Sequence, residues 1–229
     1  MRKILIALFV MIIVLVVADR IALLIAERKI SDRVASAYDL PAKPGVSIAG
    51  FPFLTQVVAG KYHSVDIRVR SVTTDGVPVT GLDARLTGVR ASIAQLLGRS
   101  PEPVTAQHAS ATATVPLSAV RSRLPRGITL RPDGAALRVG GTAHYFGLDL
   151  PVSATVRPAA SPSGITLVPR QVHVGKVVSV PAATLAGRLR IAVPLGILPL
   201  HLKVTSVRVE PAGLRISAAG RDVHFAAAG

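Results

Sequence analysis

Between Ser64 and Arg70 the chain reads S-V-D-I-R-V-R, which sets Val65, Ile67 and Val69 on one side of an extended backbone and Ser64, Asp66, Arg68 and Arg70 on the other. The same period of two recurs at 82–86 (L-D-A-R-L), 137–139 (L-R-V), 148–157 (L-D-L-P-V-S-A-T-V-R), 188–193 (R-L-R-I-A-V) and 200–205 (L-H-L-K-V-T). Repeated apolar-in, polar-out alternation predicts an antiparallel sheet with one face on a core. Three segments, 130–139, 156–168 and 207–216, pass from strand through a Pro/Gly turn back to strand, and each predicts a hairpin within one extended, curved sheet. Short helices are predicted at 91–99, 116–124 and 181–189, the last two opening on a proline, a favoured first helical position.

The N-terminus breaks the alternation. Arg2-Lys3 precedes an uncharged apolar run over 4–18, Asp19-Arg20 interrupts it, and I-A-L-L-I-A resumes before Glu27-Arg28-Lys29. The run alone is shorter than the roughly 20 residues of a spanning helix and has the make-up of a secretory signal, with Val16-x-Ala18 as a small-residue cleavage site. Helical spacing continues through Ile30, Val34 and Tyr38 until Pro41 and Pro44-Gly45. That continuity, with no polar stretch before Ala18, favours an uncleaved signal anchor over a cleaved peptide. The division expected is residues 1–28 as signal anchor or signal peptide and 29–229 as one domain. The basic first residues favour a cytoplasmic N-terminus, which Arg20, Arg28, Lys29 and Arg33 beyond the run oppose. Residues after the anchor are expected at the extracytoplasmic face of the cell membrane, or secreted if cleavage occurs.

Composition narrows the chemistry. Of 229 residues half are apolar, but aromatics are only 3%, so the apolar mass is Val, Ala, Leu and Ile, which suits strands. Without cysteine there are no disulfides, thiolate nucleophiles or Cys-ligated metals, and no lipoprotein attachment site. Lys and Arg outnumber Asp and Glu 27 to 12, a net charge of +15 that favours polyanionic partners. Nucleic acid would need basic residues interleaved with stacking aromatics, which are lacking, and export points away from it. An anionic membrane lipid remains, with each well-placed Lys or Arg contributing about 1 kcal/mol.

No catalytic signature is present: neither a G-x-S-x-G elbow, a phosphate loop, G-x-G-x-x-G nor H-E-x-x-H. His63, His108, His144, His173, His201 and His224 are scattered without ligand spacing and read as surface histidines. Asp66, Asp83, Asp149 and Asp222 could converge in pairs, but Asp66-x-Arg68 and Asp83-x-Arg85 read more simply as carboxylates balancing a neighbouring arginine. No catalytic residue, metal site or cofactor is expected. Basic side chains concentrate once, at Arg121, Arg123 and Arg126, where a solvated face and an anion-binding patch are equally open.

One stretch stands apart. In G-F-P-F-L-T-Q, residues 50–56, two of the five phenylalanines flank a proline. Pro52 cannot serve an interior strand and it favours an extended Phe51, so both rings are expected on one side. There they either close the end of a core, the reading the residues alone favour, or line the mouth of an apolar cavity.

That stretch, followed by Gly60-x-Tyr62 and the strand after Val65, resembles the signature of the actinobacterial LmeA-like phospholipid-binding family. A second match lies at Leu195-Gly196-x-Leu198-Pro199-Leu200, Lys203-Val204-Thr205-Ser206-Val207-x-Val209 and Gly213-Leu214. His201 departs from it, standing where a small or neutral residue is expected. The resemblance covers nearly the whole chain and implies an α+β fold similar to tubular lipid-binding proteins, a curved antiparallel sheet around a long helix with an apolar groove. It implies non-catalytic binding of phosphoinositide-type phospholipid in the envelope, linked to lipomannan and lipoarabinomannan synthesis. On that reading Phe51, Phe53, Leu54, Leu198 and Leu200 meet acyl chains. Lys61, Arg68, Arg121, Arg123 and Arg126 meet the headgroup at a basic rim. The alternative is a membrane-anchored scaffold or regulator of an envelope glycosyltransferase, without lipid cargo.

Overall fold

The computed structural model describes residues 2–74, 77–96, 103–122, 124, 126–145, 148–161, 164–174, 178–181, 191–194 and 202–225. In chain order the elements are α1 (Arg2–Ala37), β1 (Gly45–Ala49), α2 (Phe53–Ala59), β2 (Lys61–Thr74), β3 (Val77–Arg90), α3 (Ile93–Leu96), β4 (Val104–Pro116) and α4 (Leu117–Arg121). Then follow β5 (Thr129–Asp133), β6 (Ala136–Tyr145), β7 (Leu148–Ser161), β8 (Gly164–Val174), β9 (Val178–Pro181), β10 (Ile191–Pro194), β11 (Lys203–Glu210) and β12 (Gly213–Phe225). One sheet has the order β1-β2-β3-β4-β12-β11 and the other β10-β8-β7-β6-β5, with β9 beside β8. The fold is α+β, a long apolar helix followed by antiparallel sheets.

The chain divides into two compact units. The first comprises 1–70, 83–110 and 220–229, and the second 71–82 and 111–219. In the first, the predicted apolar run and the helix after it form one continuous element, α1, which packs on β1 and α2. β1 pairs antiparallel with β2, Ile48 opposite Val65. Alternation holds where it was read: Val65 and Val69 are buried while Arg68 and Arg70 are exposed. Buried Tyr62 lies three positions before Val65, so the strict period slips once at the start of β2. The carboxylates do balance arginines, but across strands. Arg85 meets Asp66 at 2.5 Å and Arg68 approaches Asp83 at 3.9 Å, since side chains on one face of a sheet neighbour the adjacent strand more closely than their own i+2 position.

The second unit carries the three expected hairpins. Asp133 pairs with Ala136, Ser161 with Gly164 and Glu210 with Gly213 at their ends. They do not share one sheet, however: 130–139 and 156–168 build one, and 207–216 belongs to the other. Inward positions form an aliphatic core of Leu117, Leu130, Leu137, Val156 and Leu214, with Leu137 only 1% exposed. The helix predicted at 116–124 is the shorter α4. Pro116 ends β4 and precedes the first helical residue rather than being it. The helix predicted at 91–99 is seen as α3, and the one at 181–189 falls almost wholly outside the described residues.

Candidate lipid-binding site

Residues 50–60 make an elbow, and its shape follows from a few local choices. Gly50 has φ +113°, a conformation suited to glycine, and a Cβ there would come within 2.5 Å of the Gln56 side chain. The Phe51–Pro52 peptide is cis. α2 then begins at Phe53 and closes on Gly60, left-handed at φ 62°, whose N–H reaches the carbonyls of Gln56 and Val57. Ala91 N donates to the Gly60 carbonyl at 3.1 Å, tying the turn to the chain beyond β3.

Pro52 stands where a capping side chain would normally accept from the first turn, and it has none to offer. The acceptor comes instead from α1. Asp19 Oδ1 takes a hydrogen bond from Leu54 N at 2.7 Å. The other oxygen, Oδ2, accepts from Arg20 Nη2 at 2.5 Å and Nε at 3.2 Å. Asp19 is 2% exposed, so this carboxylate has exchanged water for two protein partners. The Arg20 guanidinium also lies 5.0 Å from the centroid of the Phe51 ring, within cation–π range. Farther along the helix Glu27 Oε1 accepts from Ile48 N at 2.9 Å and Ser31 Oγ donates to the Pro44 carbonyl at 2.6 Å.

The two phenylalanines do not share a side. Phe53 is buried, 3% exposed, with its ring centroid 6.3 Å from that of Tyr62, whereas Phe51 is 63% exposed. The expectation of both rings on one side assumed extended backbone through both positions. The helix starting at Phe53 turns the second ring inward instead. Leu54 and Val58, one helical turn apart on α2, are exposed with Phe51. Two buried polar atoms near Phe53, Gln56 Nε2 and Tyr62 OH, have no hydrogen-bond partner among the described residues. Gln56 Oε1 accepts from His63 N at 3.2 Å, and burial pushes the Tyr62 phenol up from its ordinary value.

The expected headgroup residues are distributed. Lys61 and Arg68 are exposed on β2 in the first unit, Arg68 beside Asp83. Arg121 and Arg126 are exposed in the second, where Arg121 Nε donates to the Leu130 carbonyl at 2.8 Å. Leu198, Leu200 and Arg123 lie outside the described residues. In the first unit a cavity of about 490 Å³ is lined by Leu24, Glu27, Arg28, Ser31, Asp32, Lys43, Pro44 and Val46. Lys43 pairs with Asp32 across 2.6 Å there, so its wall carries both signs of charge and suits polar groups better than acyl chains.

What sequence reading passed over is the Asp19–Arg20 pair. A charged pair inside an otherwise apolar helix is itself a signal, because burying it requires dedicated partners.

The architecture is that of an α+β protein whose N-terminal helix is long and apolar enough to cross a membrane. The chain belongs to the LmeA-like phospholipid-binding family, which matches residues 17–219. No curated protein and no solved structure matches it. The match begins just before Asp19 and therefore takes in the residues that hold the elbow.

Proposed function

We propose that this protein binds an anionic phospholipid of the phosphoinositide type, without catalysis, at the extracytoplasmic face of the membrane in which α1 is anchored. Family membership over 17–219 is the observation that carries the reading. The net charge of +15 supports an anionic headgroup. Acyl chains lie against Phe51 and Leu54 in the first unit or Leu198 and Leu200 in the second, with Phe53 buried against Tyr62 to hold the elbow, each buried methylene contributing about 0.8 kcal/mol. Phosphate oxygens meet the basic side chains of one unit, Lys61 and Arg68 in the first or Arg121, Arg123 and Arg126 in the second. Arg68 would exchange Asp83 for the headgroup, and Arg121 keeps its terminal nitrogens for it while Nε holds Leu130. The phospholipid-binding domain is taken as one, 29–229, because β2, β3, β4 and β12 each run from one unit into the other. Its cellular role is support of lipomannan synthesis.

α1 supports an uncleaved anchor over a signal peptide. The helix runs unbroken through Val16–Ala18, and the residues after it are engaged: Asp19 with Leu54, Glu27 with Ile48.

The test is lipid extraction and native mass spectrometry on the full chain, purified in mild detergent from a host that makes phosphatidylinositol. An anionic phospholipid retained at one per chain, and displaced by added phosphatidylinositol but not phosphatidylcholine, is expected. Protein that carries no lipid and takes up neither would sink the proposal and favour a scaffold for an envelope glycosyltransferase.

A further inference from the structure

Outside α1, the exposed large apolar side chains among the described residues are Tyr38, Phe51, Leu54, Val58 and Ile128. Three of them fall within residues 51–58 of the elbow, a concentration that isolated surface hydrophobes do not show. The elbow is also fixed in height along α1, because Leu54 N is bonded to Asp19.

Exposed apolar side chains on α1 continue past Asp19 through Ile21, Leu24 and Ile25. From Ile4 to Ile25 the helix rises about 32 Å at 1.5 Å per residue, close to the roughly 30 Å hydrocarbon thickness of a bilayer. Glu27, Arg28 and Lys29 then mark the water boundary. Asp19 lies six residues before Ile25, about 9 Å along the axis. That depth falls within the roughly 5–10 Å at which interfacial helices bury their apolar faces. At this depth a lone carboxylate would be costly, yet Asp19 is paired with Arg20 and accepts a hydrogen bond from Leu54 N, and the Phe51 ring covers the guanidinium.

We infer that the 51–58 elbow is a second membrane contact: Phe51, Leu54 and Val58 insert into the leaflet at the C-terminal end of α1, beside the helix that spans the bilayer. The occupant of this apolar face is bilayer acyl chain, to which the inference assigns Phe51 and Leu54, since the elbow is bonded to α1 at Asp19, between the exposed Val17 and Ile21 of the apolar helix. The inference rests on α1 being a retained membrane anchor. It makes the elbow a fixed point between bilayer and fold, which a flexible tether after the anchor would not provide.

The chain has no cysteine, so single labels can be placed without background. An environment-sensitive fluorophore would be attached to Ile12→Cys, Phe51→Cys, Val58→Cys and Arg131→Cys in the full-length protein. Each would be reconstituted in nanodiscs of phosphatidylcholine and phosphatidylglycerol with brominated acyl chains. Expected is strong quenching at 12, quenching at 51 and 58 at least about twofold above that at 131, and little at 131. Quenching at 12 with 51 and 58 no different from 131 would overturn the elbow contact while leaving the anchor intact. If 51 and 58 were then also shielded from aqueous iodide, the face would belong to a protein partner, which equally overturns it. No quenching at 12 would remove the anchor and the inference with it.

Discussion

In the first unit two aromatic rings, Phe53 and Tyr62, share the interior with Asp19 and Gln56, whereas the core cluster in the second is Leu117, Leu130, Leu137, Val156 and Leu214. The aliphatic cluster tolerates small adjustments because its contacts are non-directional. The elbow depends on directional ones: a carboxylate from α1 as its cap, a glycine in a left-handed conformation at its end, and one at φ +113° against Gln56 at its start. A packed core can be reached by many sequences. A cap supplied from 35 positions away needs one particular acceptor, Asp19, and the Gly-Phe-Pro-Phe-Leu-Thr-Gln run holds the amide it receives.

Substitutions should separate the two regions. The largest effect is expected from Phe53→Ala, about 3–5 kcal/mol of destabilisation, with Leu137→Ala costing about 2–5 kcal/mol in the other unit. Local hydrogen exchange should show each loss centred on its own unit. Exchange that rises equally in both units for either variant would merge them energetically. Gly50→Ala should cost about 1–3 kcal/mol, read as a lowered denaturation midpoint, since it strains the backbone and drives a methyl into Gln56.

Tyr62→Phe should change stability by less than about 1 kcal/mol at neutral pH, because the hydroxyl it deletes is buried with no partner among the described residues. Its effect is in the pH profile. The folded Tyr62 pKa is raised above the unfolded value of 10.0, so its contribution to stability is intact below pH 10.0 and declines as pH rises above it. The variant should therefore resist alkaline unfolding slightly better, and identical alkaline midpoints would contradict a buried neutral phenol. Smallest of all is Phe51→Ser, expected within about 0.5 kcal/mol in detergent because the ring is largely exposed. A large loss there would mean that the Arg20–Phe51 contact carries the elbow.

The contrast also explains what could be read from residues alone. Strand alternation at 64–70, 82–86 and 137–139, and the hairpin turns before Ala136, Gly164 and Gly213, depend on local period and turn chemistry, and they were legible. So was the importance of the 50–56 run. Its geometry was not, because whether Phe53 continues an extended segment or opens a helix is decided by an acceptor 35 positions away, Asp19. Sequence spacing carries no such distance. The cross-strand exchange of partners, Asp66 with Arg85 and Asp83 with Arg68, was hidden for the same reason: it follows from register. Nor does spacing carry the division of Lys61 and Arg68 from Arg121 and Arg126 between two units.

The most direct measurement is amide hydrogen exchange over residues 53–59 in the full chain and in Asp19→Ala. With Asp19 as the cap, the wild-type Leu54 amide should be protected. The substitution should then release 53–59 selectively, while 137–156 exchanges as before. Unchanged protection over 53–59 in Asp19→Ala would contradict the tie between anchor helix and elbow.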